Sequence, residues 1–352
     1  MMKKGNYSRL IRPGVLALRA YEAKEIPCKV KLDANESPYS PLPPEQALPD
    51  KDILCSLNRY PDPEAKALKK ALARNLKVTE KNILLGNGSD ELIYYLITTI
   101  SGSVLFPVPT FVMYGVIAQA LGEKAIAVPL DDTFDLDIER MISVVKKEKP
   151  GLVFLSSPNN PTGNCFSTDR IMKIIEASKG IVVVDEAYQP FSSRRGFLPL
   201  LRDYKNLVIL RTMSKIGFAS LRVGYMIANE ELIHEVNKVR LPYNLNSISQ
   251  SIALQGIKNK RLVDARIKAI TDERRRLFDE LASLPEISPY PSEANFILFK
   301  TANPVKVFRG LLKREVLVKN MDKVISNTIR VTVGSPSENN LFIGSLKKAL
   351  QE

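Results

Sequence analysis

Between residues 83 and 228, short apolar runs alternate with amphipathic stretches, and this alternation limits the possible folds more than any other feature. The runs fall at 104–106, 125–128, 152–155, 181–184, 207–210 and 223–227. Several are almost unbroken Val, Ile and Leu, as strands covered on both faces require. Segments 111–121, 138–148 and 168–179 between them place apolar residues at helical spacing. Strands alternating with helices predict an open, mostly parallel α/β sheet flanked by helices.

The flanks read differently. Residues 1–36 form an arm with no long periodic element. Prolines 38, 41, 43, 44, 49, 61 and 63 make 37–63 a meandering connection, after which Ala65, Leu68, Leu72 and Leu76 begin a helix. Beyond Pro242 a helical stretch runs over about 247–284, with a break near Asn259. Strand-like pieces at 295–299, 316–318 and 329–333 follow, with helices near 304–314 and 337–350. The organisation expected is an arm (1–36), a large domain (37–242) and a smaller α+β C-terminal domain (243–352).

Of the 352 residues, 45% are hydrophobic and 25% charged, which excludes a disordered chain. The longest apolar stretch, 92–100, is far short of the ~20 residues of a membrane span. The basic start lacks the apolar core of a secretory signal. Cys28, Cys55 and Cys165 are odd in number and not in CxxC spacing, so they are expected to be buried hydrophobes of a cytoplasmic protein. The single histidine, His234, excludes a multi-histidine metal centre and lies away from every motif, so it is assigned a structural role. The formal charge of +13 comes from Lys and Arg interleaved with acids. With no nucleic-acid module in sight, that charge suits anionic small molecules better than nucleic acid.

Four segments at expected strand ends carry chemistry, because ligands of open α/β sheets bind at the carboxyl ends of strands. GNGSDE (86–91) precedes an apolar helix: it is either an anion site of free backbone N–H groups or a plain capped turn. SPNNPTG (157–163) is either a rigid loop presenting Asn159 and Asn160 or merely a tight turn. Asp185, at the tip of a buried strand, must be paired, by capping the next segment or by meeting a cationic ligand. Lys215, among Thr212, Ser214, Ile216, Gly217 and Phe218, is a candidate amine nucleophile or one of many surface lysines. One ligand answers all four: it has a phosphate, a carbonyl, a ring nitrogen to keep protonated and a ring oxygen. Pyridoxal 5′-phosphate is such a ligand.

LDANESPY (32–39), RYPDP (59–63), GNGSDELI (86–93), PTFVMY (109–114), SPNNPTG (157–163), VDEAY (184–188), RTMSK (211–215), LRVGY (221–225), SEANFILF (292–299) and RVTVG (330–334) occur in one order along the chain. In this the sequence resembles the fold-type I pyridoxal-phosphate aminotransferases, and among them the histidinol-phosphate aminotransferase family. The resemblance implies that Lys215 binds the cofactor covalently and then moves the proton at the substrate carbon. It implies that Asp185 pairs with the ring nitrogen, Asn160 and Tyr188 hold the ring oxygen, and Phe111 stacks on the ring. Gly88, Ser89, Asp90, Thr212, Ser214 and Arg222 would take the phosphate, with Tyr60 arriving from the neighbouring subunit of a homodimer. Tyr21, Asn35, Tyr243, Lys319 and Arg330 would line the substrate side.

The stretch from Lys215 to Arg222 is one residue shorter than the family pattern, which could rotate Arg222. Lys319 stands where the family usually has arginine, keeping the charge but losing the bidentate fork. The activity implied is amino transfer between L-histidinol phosphate and 2-oxoglutarate in histidine biosynthesis. Rivals on the same fold are an aromatic or broad-specificity aminotransferase and a threonine-phosphate decarboxylase. A cofactor-binding regulator would need a DNA-binding module, for which the arm is too short, and a lysine-imine aldolase would need a βα barrel.

Overall fold

A computed structural model describes residues 7–20, 26–49 and 51–352. Its central sheet has seven strands in the order Ile83–Asn87, Val223–Ile227, Leu207–Thr212, Ile181–Asp185, Leu152–Ser156, Val104–Val108, Ala125–Pro129. Val223–Ile227 runs antiparallel to both neighbours, and the other pairs are parallel. The expected alternation therefore forms, and it gains a strand at Ile83–Asn87, whose short ILL run ends in Gly86 and Asn87 and reads as a loop entry.

Period-two side chains feed a core on each face of the sheet. Phe154, Val183, Val208 and Leu210 pack with Leu92, Leu96, Tyr114 and Ile117 on one face. Val153, Leu155, Val182 and Ile209 pack with Met141, Val145, Ile171 and Ile175 on the other. This double burial is why the runs are continuous rather than alternating.

The smaller sheet is antiparallel, in the order Lys319–Asn320, Thr328–Thr332, Phe296–Thr301, Ile287–Pro289. Helices Pro304–Lys313 and Pro336–Gln351 cover it through Val307, Leu311, Phe342 and Leu346. The arm is stitched to this region, because Val30–Lys31 pairs in parallel with Val316–Leu317. The helical stretch breaks at Asn259 into Ser247–Lys258 and Lys260–Ala282. Ala253 of the first helix joins Leu68 and Leu72 of Lys66–Leu76 in a core of the larger region. The second helix spans both regions: Val263 lies in that core, while Ile270, Leu277 and Leu281 lie in the smaller one. Among the described residues no helix is long and apolar enough to cross a membrane.

Six strands of the large sheet point the same way, so their carboxyl ends share one edge. Arg222 immediately precedes the one reversed strand and arrives at that same edge.

Candidate active site

Asp185 ends its strand 4% exposed. The Tyr114 hydroxyl donates to Oδ2 at 2.7 Å, and the Ala187 N–H donates to Oδ1 at 3.0 Å. Burial pushes the carboxyl up to about 6; the two hydrogen bonds oppose the rise, and the charges of Asp90 and Glu186 add to it. The Tyr114 ring stacks on Phe154 with centroids 4.7 Å apart and meets Phe111 edge-on at 5.6 Å. Burial, with Asp185 beside it, holds the Tyr114 phenol well above its usual range, so it remains a donor.

Next to this wall Asn35 Nδ2 donates to the Tyr188 hydroxyl at 2.9 Å. Asn35 is buried at φ 56°, a left-handed conformation that asparagine tolerates, and its N–H is anchored on Thr332 Oγ1. Arg330 donates to Asn160 Oδ1 at 2.5 Å and to the Asp33 carbonyl at 2.6 Å, and its guanidinium lies 5.2 Å from the centroid of the Phe296 ring. The half-buried Lys215 places Nζ 5.8 Å from the centroid of Tyr188 and 3.5 Å from the Ala34 carbonyl. The two asparagines of the 157–163 loop divide their work. Asn159 is fully buried and ties the loop to Thr110, Pro109 and Thr162, whereas Asn160 meets Arg330.

The third cluster is a cradle. Thr212 Oγ1 donates to Ser214 Oγ at 2.9 Å, and Arg222 reaches Ser214 Oγ and Asp90 Oδ2, each at 3.4 Å. Gly88 precedes helix Ser89–Thr99 at φ 83°. A Cβ there would lie 2.5 Å from Arg222 Nη2, so glycine is what lets the guanidinium close over the helix start. Two hydroxyls, a helix N-terminus and a guanidinium suit a phosphate. Asp90, an acid, can serve an anion there only through its backbone N–H. The short stretch after Lys215 does not take Arg222 away; Arg222 adopts φ 52° and stays at the cradle.

The rim residues stand apart. Tyr60 is 80% exposed and stacks on Tyr243, 41% exposed, with centroids 4.5 Å apart. Lys319 is exposed and registered opposite Arg330 on the neighbouring antiparallel strand, which puts both side chains on one face of the sheet. Tyr21 lies outside the described residues. His234 is exposed on helix Glu230–Asn237. The cysteines correct the expectation of buried hydrophobes: Cys55 is exposed, and Cys28 and Cys165 are half-buried. Cys55 lies on the short helix Lys51–Cys55, which has no buried face.

The pattern of the family described as aminotransferase class I and II matches residues 27–346. The chain belongs to this family. A histidinol-phosphate aminotransferase of Caldanaerobacter subterraneus subsp. tengcongensis is 42% identical over 349 residues, covering 97% of this chain and 99% of the relative. The aminotransferase also has the fold of a solved Sinorhizobium meliloti histidinol-phosphate aminotransferase in complex with pyridoxal-5′-phosphate. That match has TM-score 0.86 at 23% identity, over 96% of this chain and 97% of that one. A Porphyromonas gingivalis L-threonine-O-3-phosphate decarboxylase shares the fold at TM-score 0.78 and 20% identity, over 92% and 100% of the two chains. The aminotransferase is thus a fold-type I enzyme that uses pyridoxal phosphate and acts on small molecules.

Proposed function

We propose that this aminotransferase moves the amino group of L-histidinol phosphate to 2-oxoglutarate, giving imidazole-acetol phosphate and glutamate in histidine biosynthesis. It works in the cytoplasm as a homodimer with shared active sites. The observation that carries this reading is the register of Lys319 against Arg330: two cations on one face suit a substrate with its own phosphate. An unphosphorylated aromatic amino acid would offer Lys319 no anionic group to meet. The histidinol-phosphate aminotransferases that match the whole chain agree with it, whereas the decarboxylase shares the fold alone.

The residues fit the cofactor: a buried carboxylate, a phosphate cradle and a lysine lie along one edge of the sheet. When bound, the cofactor supplies a reactive carbonyl and an electron-withdrawing ring. Lys215 would bind it covalently, then carry the proton to and from the substrate carbon. Asp185 would hold the ring nitrogen protonated, Asn160 and Tyr188 the ring oxygen, and Phe111 one ring face. Gly88, Ser89, Asp90, Thr212, Ser214 and Arg222 would hold the phosphate, joined by Tyr60 of the partner subunit. Tyr21, Asn35, Tyr243, Lys319 and Arg330 would line the substrate side. Large apolar side chains left in water, among them Tyr94, Val112, Leu241, Tyr60 and Tyr243, support the dimer.

The test is twofold. Borohydride reduction should fix the cofactor to Lys215, and Lys215→Ala should lose turnover while keeping the fold; a label on another lysine overturns the assignment. Half-reaction spectra with histidinol phosphate, phenylalanine, tyrosine and threonine phosphate should be fastest with the first. A faster reaction with phenylalanine or tyrosine would select the broad-specificity reading.

A further inference from the structure

Asp185 is buried, and among the described residues each of its oxygens meets a single donor, one of them a side chain to which no role has been given so far. Tyr114 sits in the first turn of helix Met113–Leu121 and is fully buried. Phe154 stacks on its ring, Phe111 meets it edge-on, and Phe106 packs at a tilt 6.3 Å away. Three aromatic contacts therefore fix where its hydroxyl points, and it points at Asp185 Oδ2, 2.7 Å away.

We propose that Tyr114 is a positioning residue that keeps Asp185 ionised and aimed at the ring nitrogen of the cofactor. The proposal rests on the functional reading above and extends it to a residue with no contact to substrate. The Ala187 N–H supports the charge of this carboxyl as well, and the largest opposing influences are burial and two neighbouring carboxylates. The carboxyl is buried, and Asp90 from the cradle helix and Glu186 just beyond its own strand repel it. Tyr188 and Ser156 are the other polar side chains acting on the Tyr114 hydroxyl, and Lys215 Nζ lies over the Tyr188 ring. A hydroxyl that donates to a carboxylate stabilises the ionised form. The phenol itself resists ionisation, so it stays a donor wherever the enzyme works. The same ring braces Phe111, so one side chain sets both the partner of the ring nitrogen and the residue meant for the ring face.

Tyr114→Phe removes the hydroxyl and keeps the ring. The readout is the affinity of the cofactor-free protein for pyridoxal phosphate, followed by fluorescence at several pH values. Losing a hydrogen bond to a charged group raises the carboxyl further, so affinity at about pH 6 should fall at least about tenfold. At about pH 9, where Asp185 ionises in both proteins, the deficit should narrow to about twofold. In an Asp185→Asn background the substitution should change affinity less than about twofold at either pH. A Tyr114→Phe chain that folds only when Asp185→Asn is also present gives the same answer. A deficit equal at both pH values, equal in both backgrounds, or absent overturns the inference, as does failure to fold in both backgrounds. If the unsubstituted protein takes up no pyridoxal phosphate, the functional reading falls and this inference falls with it. If it does, and Tyr114→Phe matches it throughout, only the role of Tyr114 falls.

Discussion

At the inner wall, Asp185 is 4% exposed and both of its oxygens are met by donors of its own chain. At the rim, Tyr60 is 80% exposed, and Lys319 stands in water opposite Arg330. The wall must solvate a charge before any ligand arrives, because a buried carboxylate without donors is very costly. The rim has no such duty, and water screens its charges. The wall's donors come from one chain, whereas the rim's side chains are left to water.

The sharpest way to break this contrast is Asp185→Asn, which removes the charge and keeps the shape. Turnover should fall by on the order of 10³-fold or more, because the ring nitrogen would lose the anion proposed for it. The same change should stabilise the cofactor-free protein. A carboxyl lifted from 3.8 to about 6 keeps more protons in the folded chain than in the unfolded one between those values. Its contribution to stability therefore falls as pH rises through that window and is fully unfavourable above it. Denaturant melts should show the variant ahead by up to about 3 kcal/mol above about pH 6, with the gap closing below about pH 4. Equal midpoints at high pH would mean the wall carries no such strain.

A smaller effect is expected at the rim. Lys319→Ala should weaken histidinol phosphate by roughly 2–3 kcal/mol in kcat/KM and leave glutamate nearly unchanged, and Lys319→Arg should be tolerated. Equal losses on both substrates, or none on either, would remove Lys319 from the site. Smallest should be Tyr60→Phe, which costs about 1 kcal/mol of cofactor affinity for one hydrogen bond. In heterodimers with Lys215→Ala chains, one site carries neither lesion and should bind the cofactor as the unsubstituted enzyme does. Weakened binding despite proven subunit exchange would place Tyr60 in its own chain's site.

Elements whose identity depends on local pattern were legible in the sequence. The continuous runs around Val153, Val183 and Val208 become buried strands, and the break at Asn259 falls where the helical pattern falters. The Asp185 and Lys215 segments stand out because an acid and an amine at buried strand ends need a reason. Contacts between distant segments were not legible. Tyr114 lies within PTFVMY, yet nothing local marks it as the partner of a carboxylate 71 residues away. Asn159 and Asn160 are adjacent and alike, and only the fold gives one a structural tie and the other to Arg330. Nor can spacing reveal that a two-residue strand would set Lys319 across from Arg330.

Helix Lys260–Ala282 has one end seated in each core, which makes it a strut between two walls of one vessel. Its 23 residues span about 35 Å. A tilt of about 10° about its middle would swing each end by roughly 3 Å, a hinge-like displacement. Arg330 and Lys319 ride on the sheet at one end of this lever, while Asp185 ends a strand of the other sheet and Lys215 follows one. Such a tilt would change the separation between Lys319 and Arg330 on one side and Asp185 on the other.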